Sequence, residues 1–472
     1  MKPPLLAALN TGLPDASAIA DAVRGGSRTA VDVLAEARAA SAGASSLNAF
    51  ITEDWDAAER AAADLDRRRA AGEALGALAG VPFSVKDVIA VAGLPVTAAS
   101  PAFARTVATT TAPAVQRLLD ADAILVGKTN CPEFAFGMTC DSPLLGRTAN
   151  PRFPETTPGG SSGGEAASLA AGISALGVGT DFGGSVRWPA QCVGIAALRP
   201  GLEAISGDGQ VPGAGGNFGA DGTIPAAGPG MQGAFQTIGP MARSVRDLRT
   251  AYLVMSGLAD AGTVTTADRP GARKLRIGWT DGAPLGPVRR EVTALMERLA
   301  GRLAAEGHDV HHNPELLADC LPSYNTLRAV DPMLDHAAAV AGLEHKVTAA
   351  NLQTITASLA APRSDVEQAW RAAQAARAAA VENITAFDVV LLPVAGGPAS
   401  DPDGQLDIDG RTVEGWEIMG HCRAVTLTGC PAVSLPVALS AEGWPLSVQV
   451  VTGPGGELAA LDFAAQLEML GL

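Results

Sequence analysis

Two stretches, Gly159-Gly160-Ser161-Ser162-Gly163-Gly164 and Asp181-Phe182-Gly183-Gly184-Ser185-Val186-Arg187, decide how this sequence is read. Each holds a serine in backbone that glycine permits. Upstream lies Gly80-Val81-Pro82-Phe83-Ser84-Val85-Lys86-Asp87, an apolar run that reads as a buried strand ending on a lysine. A serine hydroxyl is a weak nucleophile and needs a base beside it. Lysine serves as that base only when neutral, and an apolar site favours the neutral form. Together the three segments point to a serine hydrolase in which lysine stands where histidine would be expected.

Each segment also has a plainer reading. Lys86 at a strand end can keep its ammonium in water, paired to Asp87. Gly159 to Gly163 formally fits the G-x-S-x-G nucleophile elbow, which needs a strand directly before it. Pro154-Glu155-Thr156-Thr157-Pro158 is unsuited to a central strand. The same run reads as an anion loop at a helix N-terminus, although no lysine stands at the P-loop spacing, or as a flexible loop. In the second stretch Gly183 and Gly184 let backbone amides turn inward together, as in an oxyanion hole, with Ser185 at the turn. The alternative is a tight strand-to-helix turn with a capping serine. All three in order, with Ser161 and Ser185 24 residues apart, are harder to explain without catalysis.

Outward from these segments the chain alternates strand and helix. Residues 1–75 read as an Ala-rich layer of two or three helices. A catalytic core over 76–260 includes a helix Ala112–Asp122, a strand Ala123–Val126, a helix Glu165–Ala171 and a strand Ala175–Gly179. Such alternation indicates an α/β layered core. Gly207 to Gly233 holds ten glycines in 27 residues and reads as a long irregular loop. Residues 270–385 open with a strand Lys274–Trp279 and a helix Val288–Ala305, turn wholly helical over 315–385, and are expected at the periphery. Residues 386–472 return to the sheet through strands Asp388–Leu392 and Pro445–Val451, with a last helix near Gly456.

Bulk properties narrow the function classes. The chain has 472 residues, 47% of them hydrophobic, which is ample for a large core. A net charge of -15 repels a phosphate backbone and an anionic membrane surface. No apolar run reaches membrane-spanning length, and the N-terminal stretch is too short for a signal peptide. The six cysteines have no zinc spacing and read as reduced, buried thiols, so a cytoplasmic location is expected. His308, His311 and His312 read as a solvated edge, whereas His421 could approach the site. No paired carboxylates or metal set stands out, and no cofactor is expected.

Further motifs run along most of the chain: Gly127-Lys128-Thr129-Asn130, Glu133-Phe134-Ala135, Asn150-Pro151, Gly239-Pro240-Met241-Ala242-Arg243-Ser244-Val245 and Leu427-Thr428-Gly429-Cys430-Pro431-Ala432. With these and the serine stretches, the sequence resembles the amidase signature family. The resemblance implies a Ser–cis-Ser–Lys triad: Ser185 as nucleophile, Ser161 as bridging serine after a cis peptide, Lys86 as base. The N–H groups of Phe182, Gly183, Gly184 and Ser185 would form the oxyanion hole. The implied fold is a single α/β domain, its mixed, mostly parallel central sheet flanked by helices on both faces.

The implied reaction cleaves a small carboxamide to an acid and ammonia or an amine through an acyl-enzyme on Ser185. Three other readings compete: an amidotransferase A-type subunit that works on a tRNA-borne substrate, a silent binding or scaffold member, and a biosynthetic acyl-transfer or amide-trimming enzyme. Retention of Lys86, Ser161 and Ser185 argues against the silent member. Amidotransferase subunits of the family carry glutamine where Trp188 stands, so Trp188 is either a pocket wall or core. Phe136 and Met138 are further pocket candidates. The expected partner is a small-molecule amide, without nucleic acid or membrane, and the family is compatible with a homodimer.

Overall fold

A computed structural model describes residues 4–213, 228, 230–259 and 273–470. Its strands in chain order begin with β1 (Phe50–Glu53), β2 (Pro82–Lys86), β3 (Ile124–Thr129), β4 (Asp141–Ser142) and β5 (Gly146–Arg147). They continue with β6 (Leu176–Asp181), β7 (Ala196–Arg199), β8 (Thr237–Ala242), β9 (Arg276–Trp279) and β10 (Asp309–His312). The last are β11 (Val389–Pro393), β12 (Gln405–Ile408), β13 (Arg411–Glu414), β14 (Ala432–Leu439) and β15 (Pro445–Val451).

Eleven of them form one sheet in the order β1-β3-β2-β6-β8-β7-β14-β15-β11-β9-β10, while β4–β5 and β12–β13 are separate two-stranded pairs. The sheet is mixed as expected, with four parallel and six antiparallel pairings between neighbouring strands where mostly parallel ones were expected. Its parallel pairings fall in two groups, β3–β2–β6 and β11–β9–β10, and antiparallel pairs join them. Every residue of β2 and of β6 is buried, so helices cover both faces there, as their continuous apolar runs require.

Local chemistry starts the flanking helices. Asp15, Thr29, Asp54 and Ser244 cap four of them by accepting a backbone N–H three residues on. Between the expected N-terminal helices lies an edge strand, β1, too short for its alternation to register. The helix Gly163–Ala170 lies tightly on β6 because Gly177 and Gly179 present no side chain to it. A Cβ on Gly177 would meet Glu165 Oε2 at 2.5 Å, and one on Gly179 would meet Ser162 Oγ at 2.7 Å.

The Gly207–Gly233 stretch is partly outside the described residues, at 214–227 and 229. Its far end is not loop as expected: Met231 begins a helix through Phe235, whose first amide is held by Asp331 Oδ2 at 2.8 Å. The stretch 315–385, expected to be wholly helical, opens with turns over 315–319 and then runs as four α-helices, Cys320–Val330, Leu334–Val340, Ala349–Ser358 and Arg363–Thr385, with short connections. The long helix Arg363–Thr385 turns Ala369, Ala373, Ala376 and Ala380 inward, a helical spacing that seats it beside the helices Cys320–Val330 and Gly420–Thr428.

Candidate active site

β2 and β6 are parallel neighbours, and both site segments hang from their carboxyl ends, the usual place for a site on such a sheet. β2 delivers Lys86 and β6 runs into the Asp181–Arg187 turn. Ser161 and Ser162 stand just before the helix Gly163–Ala170, with a cis peptide between Gly160 and Ser161. The Ser162 amide donates to the Ser185 carbonyl at 3.2 Å, which stitches the two glycine stretches together.

Lys86 is fully buried. Its Nζ donates to Ser161 Oγ at 2.6 Å and to Thr180 Oγ1 at 2.9 Å. The carboxylate next to it in sequence does not neutralise it: Asp87 pairs with Lys128 Nζ at 3.3 Å and accepts from Thr97. Burial, only partly opposed by nearby negative charge such as Asp181 and Glu165, lowers the Lys86 ammonium from 10.5 to about 8. That brings the neutral amine, the form a base needs, within reach near neutral pH.

The Asp181 carboxylate shapes the turn that follows. Oδ1 accepts from the Gly184 amide at 2.8 Å and Oδ2 from the Val186 amide at 3.2 Å. Arg187 clamps both oxygens, through Nη2 at 2.8 Å and Nε at 3.0 Å. Burial alone would raise this carboxyl. Arg187, by charge and hydrogen bond, and then Arg199 overcome that and hold it at about 2. Arg187 is itself fixed by Gln449 Oε1 at 2.6 Å and Thr426 Oγ1 at 2.8 Å.

With Gly184 drawn to Asp181, the amides of Phe182, Gly183 and Ser185 find no acceptor among the described residues. These three residues line a cavity of about 590 Å³, together with Ser161 and Thr180. The Ser185 side chain makes no hydrogen bond among the described residues, and its hydroxyl is not bonded to that of Ser161. The far walls combine aromatic rings, Phe134, Phe136, Tyr324 and Trp370, with polar side chains such as Arg328 and Asn351, and His336 lies tilted against Phe136 at 4.9 Å between centroids. Tyr324 Oη donates to the Phe182 carbonyl at 3.1 Å and so ties the wall to the turn.

The structure thus brings Ser161, Ser185, Phe182, Gly183 and Phe136 to one cavity, with Lys86 buried behind Ser161, and leaves out three expected residues. Gly184 does not face it. Its amide is committed to Asp181, and a Cβ there would meet Cys422 Cβ at 2.5 Å, so this glycine serves close packing. Trp188 is core: fully buried, it donates Nε1 to the Met138 carbonyl at 2.9 Å and packs with Cys192, Ile418 and Met419. Met138 belongs to the same cluster. His421 is buried against Gly282 and does not line the cavity.

Sequence reasoning missed Thr180, Glu165 and the wall residues of 320–385. Thr180 directly precedes the second stretch, a signal that was available. Tyr324 and Trp370 carried none, because only the tertiary fold brings their helices over the sheet.

Comparison with known proteins agrees with this geometry. The family model described as Amidase matches residues 33–461. Indoleacetamide hydrolase of Bradyrhizobium diazoefficiens is 32% identical over 89% of this chain and 79% of its own length. The A-type subunit of glutamyl-tRNA(Gln) amidotransferase from Deinococcus deserti is 32% identical over 97% of this chain and 96% of its own length. Among solved structures, 6-aminohexanoate cyclic dimer hydrolase complexed with substrate superimposes with a TM-score of 0.80 at 28% identity, covering 96% of both chains. A buried lysine on a serine, a free serine beside unpaired amides and a match over most of the length have one common account: the chain belongs to the amidase signature family and is an amide-hydrolysing enzyme.

Proposed function

We propose that this enzyme cleaves the C–N bond of a carboxamide through an acyl-enzyme on Ser185, with Ser161 and Lys86 as the proton relay. The observation that carries the reading is the 2.6 Å hydrogen bond from Lys86 Nζ to Ser161 Oγ in a fully buried setting without a carboxylate partner. Neutral Lys86 takes a proton from Ser161, which takes one from Ser185. Ser185 Oγ attacks the carbonyl carbon, and the oxyanion is held by the amides of Phe182, Gly183 and Ser185. Ser161 then protonates the departing nitrogen, and water enters by the same relay to release the acid. The hydroxyls of Ser161 and Ser185 meet when the substrate is seated, since catalytic hydrogen bonds are often loose in the free enzyme.

The aromatic walls favour a small amide carrying an aryl or alkyl group. The indoleacetamide hydrolase relative supports that choice. The amidotransferase reading has the near-complete alignment with the Deinococcus deserti protein behind it. Trp188 no longer bears on the question, because it is packed away from the cavity.

A fluorophosphonate, mapped by intact mass and peptide sequencing, tests the reading. A single adduct on Ser185 that vanishes in Lys86→Ala is expected, and Ser185→Ala should retain less than a few per cent of turnover. An adduct on Ser161, or full labelling of Lys86→Ala, overturns it. Amide turnover by the isolated chain, with ammonia released, separates the hydrolase from the amidotransferase subunit.

A further inference from the structure

Behind Lys86 lies a buried carboxyl that the relay leaves unused. Glu165 occupies the first turn of the helix that follows Ser161 and Ser162. Its Oε2 accepts from Ser84 Oγ and its Oε1 from Thr129 Oγ1, each at 2.6 Å. Ser84 precedes Lys86 by two residues on β2, so strand alternation puts both on one face. Thr129 is the register partner of Lys86 on β3. The bare Cα of Gly177 on β6 leaves the room that Glu165 fills. With its one proton given to Glu165, Ser84 Oγ accepts from Ser174 Oγ at 3.1 Å, which extends the hydroxyl cluster around the carboxyl.

Resting on the Lys86–Ser161–Ser185 reading, we propose that Glu165 is a positioning residue: its carboxylate stabilises the ammonium that Lys86 becomes when it takes the proton from Ser161. The proton passes from Ser185 Oγ to Ser161 Oγ to Lys86 Nζ and returns by the same route, and Glu165 neither gains nor loses one. An isolated buried ammonium is costly, and a nearby anion offsets that cost most where the interior is dry.

The other groups facing Lys86 are already committed. Asp181 is bound by Arg187, with Arg199 beside it, while burial keeps the Cys131 and Cys140 thiols protonated. Lys128, the second cation that Glu165 feels, is paired with Asp87. Glu165 is therefore the carboxyl near Lys86 whose own partners are hydroxyls. Burial raises it to about 7 against the pull of Ser84, Thr129, Lys86 and Lys128, so the carboxyl is mostly ionised where Lys86, at about 8, loses its proton.

The rate of fluorophosphonate labelling of Ser185, followed against pH in the full chain, tests this without a known substrate. In Glu165→Gln the rising limb should move to lower pH by on the order of one unit, because Lys86 loses its counter-charge, and the maximal rate should fall. Ser84→Ala, which removes a donor from the carboxylate and leaves its charge group in place, should shift the limb the same way by less. An unmoved limb in Glu165→Gln, with only thermal stability lowered, overturns the proposal and makes Glu165 structural. Should Glu165→Gln fail to fold, the limb of Ser84→Ala decides alone, and no shift there overturns the proposal. Undiminished labelling of Lys86→Ala is a different failure, that of the triad itself.

Discussion

At the scale of single residues, the site depends on two buried charges treated in opposite ways. Lys86 is stripped of a direct carboxylate partner, so burial pushes it toward the neutral amine. The labelling rate of Ser185 should therefore rise as pH passes through about 8 rather than through the ordinary lysine value of 10.5. Stability carries the matching sign. Between about 8 and 10.5 the unfolded chain holds a proton on Lys86 that the folded chain has lost, so this residue makes stability increase with pH across that window. A denaturation series in wild type and Lys86→Met checks it, and the rise should be smaller in the variant.

Asp181 is instead surrounded by cations and amides. Asp181→Asn leaves Arg187 buried without its anion and frees the Gly184 amide. It should cost about 3–5 kcal/mol in chemical denaturation, with labelling lost even where the protein still folds. Lys86, Ser161 and Ser185 were legible in the sequence because their neighbours are unusual: glycines that no helix or strand needs, and a lysine closing an apolar run. Asp181 stood in the same motif, but its task of diverting Gly184 was hidden, since a motif names residues and not the direction in which an amide points.

At the scale of elements, the meeting of β6 with the helix Gly163–Ala170 sets the spacing of the two serines. Gly179→Ala would put a Cβ 2.7 Å from Ser162 Oγ and 2.9 Å from Val186 Cγ1, between the two serine segments. Overpacking of this kind typically costs about 1–3 kcal/mol. Labelling of Ser185 should fall by more than that loss of stability explains, which a melting curve measured beside the labelling rate will show. The strands β2, β6 and β15 were readable because each is an apolar run bounded by turn signals. Edge strand β1 and the β12–β13 hairpin were not, for four residues carry too little periodicity. Nor could the pattern foresee that antiparallel strands join two parallel groups. Strand order is set by contacts distant in sequence, which no local window contains.

Across the whole molecule, the two sides of the cavity come from different parts of the chain. Strand β2 carries Lys86 and the glycine stretches beside the sheet carry Ser161 and Ser185, while helices between Cys320 and Thr385 supply much of the opposite wall. Trp370→Ala should raise KM for an aryl amide by on the order of tenfold, yet leave labelling by a small fluorophosphonate near the wild-type rate. A parallel loss of both would mean that the wall also holds the turn in place. The bond from Tyr324 to the Phe182 carbonyl crosses 142 residues of sequence. It is one of the seams that tie the helical wall to the serine turn, beside the bonds of Thr348 and Asn351 to Glu133. Exchanging the helical segment between relatives, with a tyrosine kept at that seam, would change the menu of amides in one recombination while the blade stays as it was.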